Sequence, residues 1–278
     1  MTGIIDVGGG ARDSYGAGVF DYCLDHNIKF DYCIGVSAGS ANCASYIANQ
    51  RGRNYVFYTD YFFRKEYMSL SNFIKKRSYI DLDYVFGTLT NSDGENPIDY
   101  PAMQRSKTIL KIVATNASTG KAVYFDKENM KQDDYRFLMA STCVPVVCKP
   151  YMIDGVGYYD GGIADPIPID KALDDGCDKT VVILTRPKER IRQSKFNLAA
   201  SAILKSKYRQ LAESIENRNN KYNQSLAKAI ELEKNGKALI LAPHDIGNMK
   251  MLTKDHNEIH FLYEQGLRDG EKLIDFLK

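Results

Sequence analysis

Short apolar runs punctuate the chain at GIIDV (3–7), YCIGVS (32–37), ILKIVAT (109–115), TVVILT (180–185) and KALILAP (237–243), with stretches of helical periodicity between them. Runs this short and this rich in β-branched residues read as strands buried on both faces. Their separation by helical stretches predicts an α/β fold with a mostly parallel sheet covered on each side. Between Ile109 and Asp160 the runs crowd together, as KAVYF beyond the turn at 118–120, then YMID and GVGYYD, which predicts a hairpin or sheet edge. Helices are expected over Gly16–Asp25, after Gly39, and across the polar stretch Leu198–Asn235. A last amphipathic helix is expected over Asp255–Lys278, where Ile259, Leu262, Tyr263, Leu267, Leu273 and Phe276 share one side.

Composition narrows this picture. A chain of 278 residues, 44% hydrophobic and 26% charged, suits one large α/β domain with or without an appendage and excludes disorder, collagen and coiled coil. Its 37 Lys+Arg against 35 Asp+Glu leave a net charge of +2, so no global field attracts nucleic acid. The longest uncharged stretch, Tyr32–Gln50, carries too much Gly, Ser and Asn for a bilayer span, and MTGIIDVGGG lacks the basic start and apolar run of a secretory signal. A cytoplasmic location is therefore expected. The cysteines (Cys23, Cys33, Cys43, Cys143, Cys148, Cys177) form no CxxC pair and read as small buried hydrophobes in a reducing compartment.

Three glycine-rich turns carry the candidate chemistry. Gly35-Val36-Ser37-Ala38-Gly39 follows a strand and precedes SANCASYIANQ, the arrangement of a nucleophile elbow, in which a sharp turn lifts the Ser37 hydroxyl clear of the backbone. Gly8-Gly9-Gly10-Ala11-Arg12 also follows a strand, and its backbone N–H groups can face an anion or a developing oxyanion. The dinucleotide fingerprint that Gly8-x-Gly10 begins fails at Asp13, where its third glycine belongs, and no P-loop is present, so no cofactor is expected. Tyr159-Asp160-Gly161-Gly162 places a carboxylate in an uncrowded turn. His256 and His260 lie four apart on a helix without a third ligand nearby, so no metal site is expected.

The order GGGxR, GxSxG and DGG resembles the patatin-like phospholipase family, with AGVFDYCLD, VATNASTGKAVYF and ASTCVPVVCKPYMIDGVGYYDGGIADPIPI as supporting context. The resemblance implies a three-layer α/β/α fold and hydrolysis of lipid carboxylic esters, from phospholipid or lysophospholipid, by a Ser/Asp dyad. Carried over by position, Ser37 is the nucleophile and Asp160 the proton acceptor. The loop of Gly8, Gly9, Gly10 and Arg12 provides the oxyanion hole, chiefly through the backbone amides of Gly9 and Gly10, and Gly35, Gly39, Gly161 and Gly162 complete the motifs. It covers a catalytic domain over residues 3–173, leaving 174–278 as a C-terminal α/β extension packed on the same domain. Asp13 departs from the glycine common at that position. It either sets a negative charge beside the oxyanion loop, unless Arg12 neutralises it, or pairs with other groups at the surface.

Two rivals follow from the same residues. One is a Ser-Asp-His esterase using His244, which follows ALILAP; the other is a non-catalytic member that binds lipid or a partner. Contact with lipid has two candidate sources. The aromatic segment Asn54–Met68, with Tyr55, Phe57, Tyr58, Tyr61, Phe62, Phe63 and Tyr67, is either core or the border of an acyl pocket. The basic run Arg186, Lys188, Arg190, Arg192, Lys195, Lys205, Lys207 and Arg209 is either a solvated face or a site of peripheral contact with anionic membrane. The sequence carries no signal for oligomeric state.

Overall fold

The computed structural model describes residues 1–192 and 196–278. Its centre is parallel: β1 (Thr2–Asp6) lies between β2 (Tyr32–Val36) and β7 (Lys179–Ile183), with Ile5 opposite Ile34 on one side and Val182 on the other. Outside β7 lies β8 (Ala238–Leu241), and outside β2 lies β3 (Ile109–Asn116), both parallel. Strand β3 then hosts the antiparallel edge. It pairs with β4 (Ala122–Asp126) and, through Ala114–Asn116, with β6 (Val156–Asp160), which forms a hairpin with β5 (Tyr151–Ile153). The crowding of runs between Ile109 and Asp160 is this mixed edge.

Alternate residues of the central strands enter different cores. Ile4, Cys33 and Ile183 pack on one face with helices α1 (Ser14–Asp25) and α2 (Ala38–Ile47) and with the helix His256–Asp269. Ile5, Ile34 and Val182 pack on the other with residues of the long helix Arg209–Lys234, including Tyr222, Leu226 and Ala229. Apolar positions on both faces of the strands are what removed alternation from the sequence and left continuous runs. The result is the three-layer α/β/α arrangement.

Strands β7 and β8 come from beyond residue 173 and extend the same sheet. The expected helix over Leu198–Asn235 divides into Phe196–Leu204 and Arg209–Lys234. The aromatic segment is core: Tyr58, Tyr61 and Phe62 are buried, Phe57 and Phe62 each stand 5.6 Å from the Tyr67 ring, and the segment contributes nothing to the cavity described below. All six cysteines are buried and unpaired. Among the described residues no helix is long and apolar enough to cross a membrane.

Candidate active site

Strand β2 ends at Val36 and α2 begins at Ala38, which leaves Ser37 alone to turn the chain. Its φ of 57° and ψ of −129° are a conformation that L-residues avoid, at a cost of about 1–3 kcal/mol. Two buried hydroxyls hold it there. Ser37 N–H donates to Ser141 Oγ at 2.9 Å, and Ser40 Oγ donates to the Ser37 carbonyl at 2.6 Å. Gly35 and Gly39 give the elbow its closeness, since a Cβ at Gly35 would lie 2.4 Å from Ser40 Cα and one at Gly39 would lie 2.5 Å from the Asp6 carbonyl.

Asp160 ends β6, where its N–H donates to the Cys143 carbonyl at 2.7 Å and its carbonyl accepts Thr115 Oγ1 at 2.8 Å. One carboxylate oxygen accepts the Gly162 N–H at 2.8 Å. Gly161 packs on the Val113 carbonyl, and Gly162 sits between Asp160, Val36 and Arg218. Ser37, 9% exposed, and Asp160, 5% exposed, line one cavity of about 710 Å³.

The Gly8–Arg12 loop meets the same cavity through Gly8, Gly9 and Arg12. Its glycines are not equivalent. Gly8 N–H donates to Asp6 Oδ1 at 3.0 Å and the Gly8 carbonyl accepts Thr185 Oγ1 at 2.6 Å, so Gly8 anchors the loop and has no amide left for an oxyanion. Gly9 and Gly10, the pair the family resemblance favours for the hole, are left as the loop's candidate donors. The N–H groups of Gly9 and Gly10 have no acceptor among the described residues. Gly9, with φ of 145°, needs to be glycine: a Cβ there would lie 2.4 Å from Thr185 Oγ1.

Arg12 and Asp13 are both buried, which removes the alternative that they pair with other groups at the surface. The Asp13 carboxyl lies against Gly16, next to that of Asp6. Burial and the neighbouring Asp6 charge push the Asp13 carboxyl well above the usual carboxylate range, which favours its neutral form beside the glycine loop. Burial pushes Asp6 up to about 6, opposed by hydrogen bonds from Asp13, Gly8 and Asn42.

The basic run does not form one outward face. Arg186, Arg190 and Arg192 line the cavity, Lys188 pairs with Glu233 and Arg209 with Glu213, Lys205 and Lys207 are not buried, and Lys195 lies outside the described residues. None of the four histidines lines the cavity. His244 is exposed, with Phe261 as its ring neighbour at 6.2 Å, His26 bonds the Tyr22 carbonyl, His256 stacks on Phe63 at 3.7 Å, and His260 bonds Tyr55 Oη at 2.9 Å. No group of His, Cys, Asp and Glu suited to a metal ion occurs among the described residues.

Several residues that shape the site carried no signal of their own in the sequence. Ser141, Thr185 and Asp6 act by holding backbone of the elbow and the glycine loop, and Arg218 reaches in from the long helix to donate from Nε to the Gly162 carbonyl.

Residues 7–173 match the family described as patatin-like phospholipase, and residues 208–278 match a domain of unknown function (DUF6363). A curated relative from Escherichia coli (strain K12), named Uncharacterized protein YjjU, is 27% identical over 201 residues, covering 67% of this chain and 52% of its own. The chain thus spans about half the length of that relative. Among solved structures, VipD from Legionella pneumophila aligns with a TM-score of 0.52 over 99% of this chain and 66% of its own, at 14% identity, which is a likeness of fold. A family match over more than half of the residues, on a chain folded in this way, means that it belongs to the patatin-like phospholipase family.

Proposed function

We propose that the protein is a serine acyl hydrolase that cleaves lipid carboxylic esters through Ser37 and Asp160, with residues 3–173 as its catalytic domain. The observation that carries this reading is the common cavity, into which a strained Ser37, the Asp160 carboxylate and the Gly9 turn all open. Ser37 Oγ attacks the ester carbonyl while Asp160 accepts its proton. The amides of Gly9 and Gly10 stabilise the tetrahedral oxyanion, and the alcohol leaves with the proton returned by Asp160. Water, activated by the same carboxylate, then releases the acyl group from Ser37. A carboxylate is intrinsically a weaker general base than an imidazole, so turnover is modest beside a histidine-based site.

The cavity favours a lipid ester because Val144, Val147, Ile215, Ile246, Met249 and Leu252 line it. Its border favours peripheral membrane contact. Ile191 lies between the lining residues Arg190 and Arg192, and Leu198 lies between Asn197 and Ala200; both side chains are about two-thirds exposed, at 67% and 65%. A cytoplasmic site of action at the membrane surface fits this border.

A fluorophosphonate probe tests the reading. Ser37 is the expected labelled residue, with labelling and ester hydrolysis lost in Ser37→Ala and hydrolysis reduced at least 100-fold in Asp160→Asn. Folded wild-type protein that takes no label would favour a binding member of the family, and loss of hydrolysis in His244→Ala would favour the histidine triad.

A further inference from the structure

Five arginines line the cavity beside Ser37, and they come from distant parts of the chain: Arg12 from the glycine loop, Arg186, Arg190 and Arg192 from the segment after β7, and Arg218 from the long helix. With Lys250 they set six cationic side chains against the single carboxylate of Asp160 in the described lining. Among the described residues none of these arginines has a carboxylate partner within ion-pair distance. Guanidinium groups in a recess are normally paired, because unpaired buried charge is costly.

Two of them also leave buried hydrogen-bond donors unused. Arg12 is only 7% exposed and its Nε has no acceptor; the buried Nε of Arg192 has none either. The Arg192 guanidinium lies 5.4 Å from the centre of the buried Tyr222 ring, which fixes its position without neutralising it. Burial, followed by the like charges of Arg218 and Arg186, pulls Arg192 down to about 8, and burial followed by the Arg186 charge pulls Arg12 down to about 10. A guanidinium resists losing its proton, so the repulsion within this cluster is relieved by a counter-anion.

We infer that the Arg12, Arg186, Arg192 and Arg218 cluster is a phosphate-binding subsite that receives the phosphate group of an ester whose acyl chain lies along the apolar lining of the same cavity. A phosphate offers several acceptor oxygens and a full negative charge or more, which suits converging guanidinium forks better than one carboxylate does. Arg186, Arg192 and Arg218 all lie beyond residues 7–173, so this specificity comes from the part of the chain outside the patatin match. As a substrate subsite the cluster rests on the acyl hydrolase reading; as a phosphate site it does not.

Calorimetric titration of the Ser37→Ala protein at low ionic strength separates the two. The probes are inorganic phosphate, glycerol 3-phosphate, glycerophosphoglycerol as a soluble phosphodiester headgroup, and acetate as the carboxylate control. All three phosphates are expected to bind and acetate to bind at least 10-fold more weakly. Arg186→Gln and Arg192→Gln are each expected to weaken phosphate binding at least 10-fold, and Arg190→Gln, at an exposed position where misfolding is not at issue, several-fold. Absence of binding by every phosphate probe, or unchanged affinity in folded arginine variants, overturns the subsite. Binding of inorganic phosphate and glycerol 3-phosphate without the phosphodiester overturns the headgroup source and leaves a site for free phosphate compounds. Because Ser37→Ala cannot turn over, a negative result here counts against the subsite alone, and an unlabelled Ser37 counts against the hydrolase alone.

Discussion

The carboxyl groups of Asp6 and Asp13 converge over Gly16, where a Cβ would lie 2.7 Å from an oxygen of each. Two carboxyl groups this close, both fully buried, cannot both ionise, so the pair keeps a proton. Asp6, which bonds the Gly8 amide and Asn42 Nδ2, is the natural acceptor, and Asp13 the donor. Asp13, where the chain departs from the family pattern, thus lies beside the carboxylate that holds the glycine loop at Gly8.

Stability against pH tests this pairing. Both folded pKa values are raised, so the stability that the pair contributes is fully present below about pH 4, the unfolded carboxylate value, and is lost as pH rises. Asp6 accounts for the window up to about 6, and Asp13 for the continuing loss above it. Asp13→Asn keeps a donor for Asp6 and removes the second ionisation. Urea denaturation is expected to find it more stable than wild type at pH 8, with the difference shrinking toward pH 5. Curves that stay parallel over this range would falsify the shared proton.

Ser141 is expected to matter for catalysis without touching substrate. Its hydroxyl is the acceptor for the Ser37 N–H, and Ser141→Ala leaves that buried donor unpaired at a residue already strained. The expected result is a loss of about 1–3 kcal/mol in stability and a fall in kcat of at least about 10-fold, with KM little changed. Wild-type turnover in the variant would mean that the elbow holds its shape without this contact.

Gly9→Ala probes the loop from the other side. A methyl group at 2.4 Å from Thr185 Oγ1, on a backbone with φ of 145°, forces the loop off the hydroxyl that anchors the Gly8 carbonyl. Since one oxyanion donor is worth about 100- to 1,000-fold in kcat, a drop of that order is expected while fluorophosphonate still reaches Ser37, more slowly. If kcat stays within a few-fold of wild type, the oxyanion donors lie elsewhere.

Residues that act through local chain geometry were legible in the sequence. The strand and helix around Ser37 announced the elbow because the turn between them is a five-residue event, and the β-branched runs announced the sheet because both of its faces are buried. Residues that act across the fold were not. Thr185 looks like the end of a strand, Ser141 like part of a small-residue helix, and Arg218 like the polar face of a long amphipathic helix until tertiary packing brings each to a glycine turn or the elbow. Charge was misread for the same reason. The run beginning at Arg186 reads as one basic face, yet packing sends part of it into the cavity and pairs other members with Glu213 and Glu233. Asp13 reads as a threat to the oxyanion until Asp6 is placed beside it.

Leu198 and Ile203 lie on the helix Phe196–Leu204, 65% and 62% exposed, and Ala200 between them faces the cavity. Exposed side chains of this size lose roughly 25 cal/mol per Å² of favourable transfer while they face water, and a bilayer surface is one place to recover it. Lys205 and Lys207 follow directly and supply charge for anionic lipid. Leu198→Ser with Ile203→Ser is therefore expected to lower hydrolysis of vesicle substrates at least 5-fold and to reduce flotation with vesicles containing phosphatidylglycerol. Hydrolysis of a short water-soluble ester should stay within about two-fold, because neither side chain contacts the reacting groups. Equal losses on both substrates would locate the damage in folding, and unchanged vesicle binding would mean that lipid meets the protein through another surface.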